Sequence, residues 1–122
     1  MESRIQERRR KERFIVNWPG TLICLFPNYE EEVRVKVSEI SATGARLELE
    51  NLKVGPYHIV VGSDSSRFTL KLNLPDGTVS TPIRIVWYSM DEGKRHFNIG
   101  VLFPQLTGTG LNAIEKVLNE RE

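Results

Sequence analysis

Residues 39–44 read Glu39-Ile40-Ser41-Ala42-Thr43-Gly44 and separate two segments in which apolar and polar side chains alternate. Alternation with a period of two predicts half-buried β-strands, so the polar stretch is predicted to be the turn that joins them. The missing side chain at Gly44 permits close approach to the backbone. The stretch is either an ordinary β-turn with glycine at a positive-φ position or a turn that receives a ligand. The alternating apolar positions are Val33, Val35, Val37, Ala45, Leu47 and Leu49.

A second polar stretch, Arg8-Arg9-Arg10-Lys11-Glu12-Arg13, lies near the N-terminus. Residues 1–13 hold six basic and three acidic side chains, whereas the other 109 residues hold eleven basic and thirteen acidic ones. Such a run has three interpretations: a solvated arm, a segment that is loosely attracted to nucleic acid or an anionic membrane, or a clamp that binds an anionic ligand. Because the positive charge is local, the sequence argues against a broad DNA- or RNA-binding face.

Together the two stretches resemble the PilZ domain, a bacterial receptor family for cyclic di-GMP (c-di-GMP). Its signatures are Arg-x-x-x-Arg and, a few tens of residues later, (Asp/Asn)-x-(Ser/Ala)-x-x-Gly. Arg9 and Arg13 match the first signature. Ser41 and Gly44 match the second, with Glu39 at the position of the family's Asp or Asn. The closing strand pair of the family resembles Ile85-Val86-Trp87 and Asn98-Ile99-Gly100-Val101-Leu102-Phe103.

Short apolar runs bounded by turn residues continue along the rest of the chain. They cover residues 21–26, 68–74, 79–88 and 97–103. Several short strands at regular spacing are typical of a closed antiparallel sheet. We therefore predict an all-β fold, a small antiparallel six- or seven-stranded β-barrel of the PilZ type, with one C-terminal α-helix.

The C-terminal residues change period. Leu111, Ile114 and Leu118 recur at helical spacing, which predicts an amphipathic helix over residues 109–120. A chain of 122 residues suits one domain with one core. We predict a flexible basic arm over residues 1–13, followed by a single domain over residues 14–122.

The resemblance implies that c-di-GMP is the ligand and that arginines bind it. The candidates are Arg8, Arg9, Arg10 and Arg13. A guanidinium can pair bidentately with phosphate or with guanine O6 and N7, and it can stack on a base. Arg9 and Arg13 would lie on one side if the arm forms a helical turn, and they would be about 13 Å apart along an extended chain. Arg8 and Arg10 add phosphate contacts or are solvated.

The turn and the late strands supply the other ligand-binding candidates, Glu39, Ser41, Gly44 and Trp87. An ionised Glu39 can accept guanine N–H groups, and the Ser41 hydroxyl can donate to a phosphate or a base. Gly44 permits close approach, and Trp87 either offers an aromatic face or packs in the core. Arg46 follows the turn on the outward face of its strand and is a further candidate.

The sequence does not favour catalysis, a metal or a cofactor. His58 and His96 have no second ligand at metal spacing, and no P-loop or nucleophile motif is present. The single Cys24 lies in an apolar run, which predicts a buried, inert thiol. No apolar stretch is long enough to span a bilayer, and the N-terminus has no signal-peptide core. We therefore predict a cytoplasmic protein that is not an enzyme and does not insert into membranes.

These expectations combine into a functional hypothesis. The chain is predicted to bind c-di-GMP, to order its N-terminal arm over the ligand and to signal to a protein partner in motility, pilus or biofilm control. The alternative is a degenerate PilZ-like domain that binds no nucleotide and acts as a protein–protein interaction module. Glu39 favours the alternative, whereas the Arg9/Arg13 pair favours the receptor. A monomer or a weak homodimer is expected.

Overall fold

The computed structural model describes residues 13–59, 66–75, 77–90, 93, 96–106 and 108–121. Within them the chain forms eight strands and one helix. These are β1 Phe14–Phe26, β2 Tyr29–Ile40, β3 Gly44–Leu49, β4 Lys53–Val54, β5 Tyr57–His58, β6 Arg67–Leu74, β7 Gly77–Met90, β8 Phe97–Leu102 and α1 Gly108–Arg121. The predicted ligand contacts of Arg8, Arg9 and Arg10 lie outside the described residues.

Six strands close into a barrel in the order β1-β2-β3-β8-β7-β6. The neighbouring strands of this barrel pair antiparallel, and β4 and β5 form a separate two-stranded sheet. Closure leaves few unpaired strand edges, which protects a small sheet from pairing with other chains. The prediction of an antiparallel barrel with one C-terminal helix is confirmed, and the barrel has six strands.

The barrel wall follows the alternation in the sequence. Val35 and Val37 of β2 and Leu47 and Leu49 of β3 are buried. Burial of such a side chain contributes about 1.5–3 kcal/mol, and a slip of the pairing by one residue would expose it. The buried side chains therefore hold β2 and β3 in register. The charged side chains between these positions consequently face outward.

Helix α1 packs an apolar stripe onto the barrel. Its side chains Ile114, Val117 and Leu118 are buried, and Val117 lines a cleft together with Leu74 and Val79. These two residues lie at the end of β6 and near the start of β7. The helix extends one residue beyond the predicted bounds at each end.

Four aromatic side chains cluster where β1 ends and β2 begins. We call this group, Phe26, Tyr29, Tyr57 and Phe68, the aromatic end. Phe26 stacks on Tyr57 with ring centroids 4.5 Å apart and meets Phe68 edge-on at 5.9 Å. Tyr57 comes from β5, a two-residue strand that the sequence pattern did not predict. The buried aliphatic residues of the segment that holds β4 and β5 are Leu52, Val54 and Ile59.

Candidate functional site

A pocket of about 440 Å³ opens on the outside of the barrel, beside the turn between β2 and β3. We call it the turn pocket; it is lined by Arg13 and by residues 39–41, 43–46, 86–87 and 100–102. Strand pairing brings these segments together although they are far apart in the sequence. The predicted ligand-binding residues that the structure places in its wall are Arg13, Glu39, Ser41, Gly44 and Trp87.

The turn itself is held by the Ser41 side chain. Ser41 Oγ accepts hydrogen bonds from the backbone N–H groups of Thr43 and Gly44, each at 3.2 Å. It also lies 3.3 Å from the Gly44 carbonyl oxygen and 3.2 Å from Thr43 Oγ1, and its single proton can serve one of them. Ser41 is 6% exposed. Its hydroxyl is therefore used inside the turn, and contact with a ligand would require it to give up one of these bonds.

The Ser41 backbone and β8 fix the turn further. Ser41 N–H donates to the Gly44 carbonyl at 2.9 Å, and Phe103 N–H donates to the Thr43 carbonyl at 2.8 Å. The second bond ties the turn to the end of β8. The turn is thus a wall of the pocket that is hydrogen-bonded both within itself and to the end of β8.

Gly44 is required by a close approach of two strands. Its φ is not in the positive range, so the turn does not use glycine for a left-handed conformation. A Cβ at this position would overlap the carbonyl oxygen of Val101 on β8. Backbone crowding between β3 and β8, and not ligand access alone, explains a glycine at this position.

Trp87 lies across a second glycine that the sequence analysis did not single out. The register of β7 against β8 shifts between Ile85 and Trp87, which is a β-bulge. A Cβ on Gly100 would overlap the indole Nε1 and Cε2 of Trp87. Trp87 remains 40% exposed, so its indole is part of the pocket wall and not of the core. A glycine in the middle of a strand was the signal that could have identified this packing.

Four directly paired positions form a row across the outer face of the barrel, which we call the outer row. It runs from Glu39 on β2 through Arg46 on β3 and Gly100 on β8 to Trp87 on β7. Because Gly100 has no side chain, the Arg46 guanidinium and the Trp87 indole are successive side chains of this row. The pocket therefore presents a carboxylate, a guanidinium and an aromatic ring on one surface.

The charges in the pocket are incompletely paired. Arg46 Nη1 lies 3.9 Å from Glu39 Oε2, and the two side chains are 39% and 31% exposed. Arg46 Nε is buried and has no hydrogen-bond partner among the described residues. Arg13 is exposed and lines the same pocket. The site consequently has more positive than negative charge, which favours an anionic ligand.

The Cys24 thiol does not line the turn pocket. Cys24 is fully buried, and this burial, with a smaller contribution from the negative charge of Glu31, raises the pKa of the Cys24 thiol to about 12. Among the described residues, no group of three or more His, Cys, Asp or Glu side chains could hold a metal ion. The helix of the described region is too short and too polar to cross a bilayer.

The sequence matches the family model of the PilZ domain over residues 7–120. The chain therefore belongs to the PilZ domain family, a non-enzymatic family of c-di-GMP receptor domains. The family predicted from the two signatures is confirmed, as is the prediction that the chain is not an enzyme. None of the curated proteins matches the sequence.

Solved structures share the fold at low sequence identity. The PilZ domain with c-di-GMP of YcgR from Escherichia coli gives a TM-score of 0.65 at 16% identity, covering 93% of this chain and 92% of that one. K. pneumonia MrkH in its apo state gives 0.66 at 15% identity, covering 90% and 49%. Borreliella burgdorferi PlzA in complex with c-di-GMP gives 0.61 at 12% identity, covering 98% and 56%. The chain thus spans about half the length of MrkH and PlzA.

Proposed function

We propose that this chain binds c-di-GMP in the turn pocket and passes the signal to a protein partner in motility, pilus or biofilm control. The observation that carries the proposal is the convergence of Arg13, the 39–44 turn and Trp87 on one pocket of about 440 Å³. That volume is within the range of small-molecule sites. Two of the similar structures contain c-di-GMP, which supports the same ligand for this site.

In this proposal the arginines supply the charge that the ligand phosphates require. Arg13 is exposed at the pocket, and Arg9 precedes it by four residues. Residues 1–13 close over the bound ligand, so that Arg8 and Arg10 can add phosphate contacts. Charge-assisted pairs between guanidinium and phosphate are among the strong hydrogen bonds in proteins, and they can be bidentate.

The remaining candidates shape the pocket. Trp87 offers a partly exposed indole on which a guanine can stack. Ser41 and Gly44 act through the turn, because the first holds its backbone and the second allows β3 to approach β8. Glu39 supplies a carboxylate at the other end of the outer row.

Signalling would follow from closure of residues 1–13, which creates a surface that the free protein lacks. A protein partner binds this surface, and the domain acts as an adaptor without a metal or cofactor of its own. We propose that it works in the cytoplasm as a monomer or a weak homodimer.

A second candidate function is a PilZ domain that binds no nucleotide and acts as a protein interaction module. The observation that favours it is the ion pair of Glu39 and Arg46, which engages the carboxylate in the absence of ligand. In that case the turn pocket would be a structural junction of β2, β3, β7 and β8.

Calorimetric titration with c-di-GMP, with GTP and cyclic GMP as controls, separates the two functions. We expect saturable binding of c-di-GMP at physiological salt and weaker or no binding of the mononucleotides. Amide NMR signals of residues 1–13 should shift on binding. Absence of heat and of NMR shifts at ligand concentrations up to about 1 mM would favour the interaction module.

Arginine variants test the site itself. Each good bidentate contact contributes about 1–3 kcal/mol, so Arg9→Ala and Arg13→Ala should each weaken binding by roughly 5- to 150-fold. Arg67→Ala is the matched control, because Arg67 is exposed at the start of β6 and does not line the turn pocket. Equal losses in all three variants would indicate general electrostatic attraction and not a defined site.

A further inference from the structure

Glu39 occupies the position at which the family signature has Asp or Asn, and the structure provides a physical reason for the longer side chain. Glu39 is directly opposite Arg46 across the β2–β3 ladder, and Oε2 lies 3.9 Å from Nη1. An aspartate is shorter by one carbon–carbon bond, about 1.5 Å, so its carboxylate would be out of range of this guanidinium. The length of the glutamate side chain at position 39 is therefore matched to the arginine at position 46.

The Arg46 guanidinium has hydrogen-bonding capacity that the described residues do not use. Its Nε is buried without a partner, and its contact with Glu39 is too long for a good hydrogen bond. A buried donor without an acceptor costs free energy unless something else accepts from it. Because the Arg46 side chain is 39% exposed and lines the turn pocket, a ligand in the pocket can reach it.

We propose that Arg46 contacts the ligand directly and that Glu39 is a positioning residue that holds the Arg46 guanidinium at the pocket wall. The inference rests on the proposed function, since the acceptor is a phosphate or the O6/N7 edge of a guanine in c-di-GMP. The planar fork of the Arg46 guanidinium matches both acceptors. The Glu39 carboxylate then does not touch the ligand.

The outer row supports this assignment. Arg46 is next to Gly100, which carries no side chain, and the Trp87 indole follows. Guanidinium and indole therefore border the same open surface, as expected for groups that bind one nucleotide. Ser38 Oγ donates to the Arg46 carbonyl at 3.3 Å, which adds support for the backbone of Arg46 beside the bulge.

The experiment compares the dissociation constants of c-di-GMP for the parent chain and for variants of the pair. Arg46→Ala should weaken binding by roughly 5- to 150-fold, the equivalent of one lost bidentate contact. Arg46→Lys should recover only part of this loss, because an ammonium keeps the charge but lacks the planar fork. Thermal unfolding of each variant shows whether it is folded, and Arg46→Lys keeps the test informative if Arg46→Ala does not fold.

Glu39→Asp distinguishes a positioning role from direct ligand contact. If Glu39 contacted the guanine in the way that the family's Asp is expected to, Glu39→Asp would bind as tightly as the parent or more tightly. A positioning role predicts weaker binding by Glu39→Asp. It also predicts that Glu39→Ala causes no further loss when Arg46 is already alanine.

The matched control is the neighbouring ion pair of the same two strands. Lys36 and Glu48 are also directly opposite each other, with Nζ 3.6 Å from Oε2, but neither lines the turn pocket. Lys36→Ala should therefore leave the dissociation constant unchanged.

The outcomes separate this inference from the proposed function. If the parent binds c-di-GMP and folded Arg46→Ala and Arg46→Lys bind within twofold of it, the Arg46 contact is overturned while the receptor function stands. The inference is also overturned if Glu39→Asp binds as tightly as the parent or more tightly. If the parent shows no binding at about 1 mM ligand, the receptor function fails and the inference fails with it.

Discussion

The aromatic end and the turn pocket lie at opposite ends of β2 and use their side chains in opposite ways. At the aromatic end, Phe26 has stacked and edge-on ring partners and is 7% exposed. At the turn pocket, charged and aromatic groups remain partly exposed, and a guanidinium nitrogen lacks a partner. The side chains of the aromatic end thus have their partners within the protein, whereas the turn pocket keeps a hydrogen-bond donor without a partner among the described residues.

The difference indicates that the aromatic end contributes mainly to stability and the turn pocket mainly to ligand binding. Apolar contacts at the aromatic end are complete without a ligand, so they contribute to the free energy of folding. Unused donors at the turn pocket can only contribute once an acceptor arrives, so they contribute to the free energy of binding. Substitutions at the two ends should therefore separate these two quantities.

The largest expected effect is at the aromatic end. Phe26→Ala should lower the free energy of unfolding by about 3–5 kcal/mol, because it leaves a cavity among Tyr29, Tyr57 and Phe68. Urea denaturation measures this loss. Leu25→Ala is the control, since Leu25 is the neighbouring residue and is 38% exposed. The milder Phe26→Leu should bind c-di-GMP like the parent, and a changed affinity would contradict the separation of the two ends.

Gly44→Ala should have the next largest effect, and it should change stability and ligand binding together. A Cβ would collide with backbone of β8, which costs about 1–3 kcal/mol in the free energy of unfolding and displaces the turn that walls the pocket. We expect both stability and affinity to fall. Gly20→Ala is the matched control, because its nearest contact, the Lys71 carbonyl oxygen, would lie at 3.2 Å. An equal loss for the two variants would contradict the special crowding at Gly44.

Ser41→Ala should have a smaller effect on stability. Removal of the hydroxyl leaves two N–H groups of the turn without their acceptor, which costs about 1 kcal/mol. Thermal unfolding measures this change, with Ser89→Ala as an exposed-serine control. If Ser41→Ala weakens binding with no loss of stability, the hydroxyl contacts the ligand and does not serve the turn.

In the native protein, Cys24 should not react with an alkylating reagent at pH 8. It pairs with Phe68 of the aromatic end, and burial raises its pKa, so the thiolate is scarce at pH 8. We expect no reaction of the native protein with iodoacetamide at pH 8 and complete reaction in denaturant, followed by mass spectrometry. Rapid labelling of the native protein would show that the barrel opens near its aromatic end.

The local pattern of the sequence was sufficient to predict most of the barrel. Strict alternation along β2, β3 and β6 predicted strands, and helical spacing from Leu111 to Leu118 predicted the one helix. The segment that holds β4 and β5 was missed because strands of two residues are too short to show a period. Tyr57 of this segment stacks on Phe26 of β1, a contact that no local pattern predicts.

The candidate site was only partly accessible to such reasoning. The signatures identified Glu39, Ser41 and Gly44, but not that the Ser41 hydroxyl is used within the turn or that Gly44 is crowded by β8. Gly100 was not singled out as a site residue, and Trp87 remained undecided between core and site. Each of these points depends on the partner strand, which sequence periodicity does not specify.

The sequence by itself determined the strands that are long enough to show alternation, which face of those strands is buried, and that a basic segment precedes a polar turn. It could do so because burial and chain conformation depend on residues a few positions apart. Only the tertiary structure decided that Glu39, Arg46, Gly100 and Trp87 form one row. Closure of the barrel and the bulges in β2 and β7 set that register, and closure depends on pairing between residues up to 58 positions apart in the chain, Gly44 and Leu102.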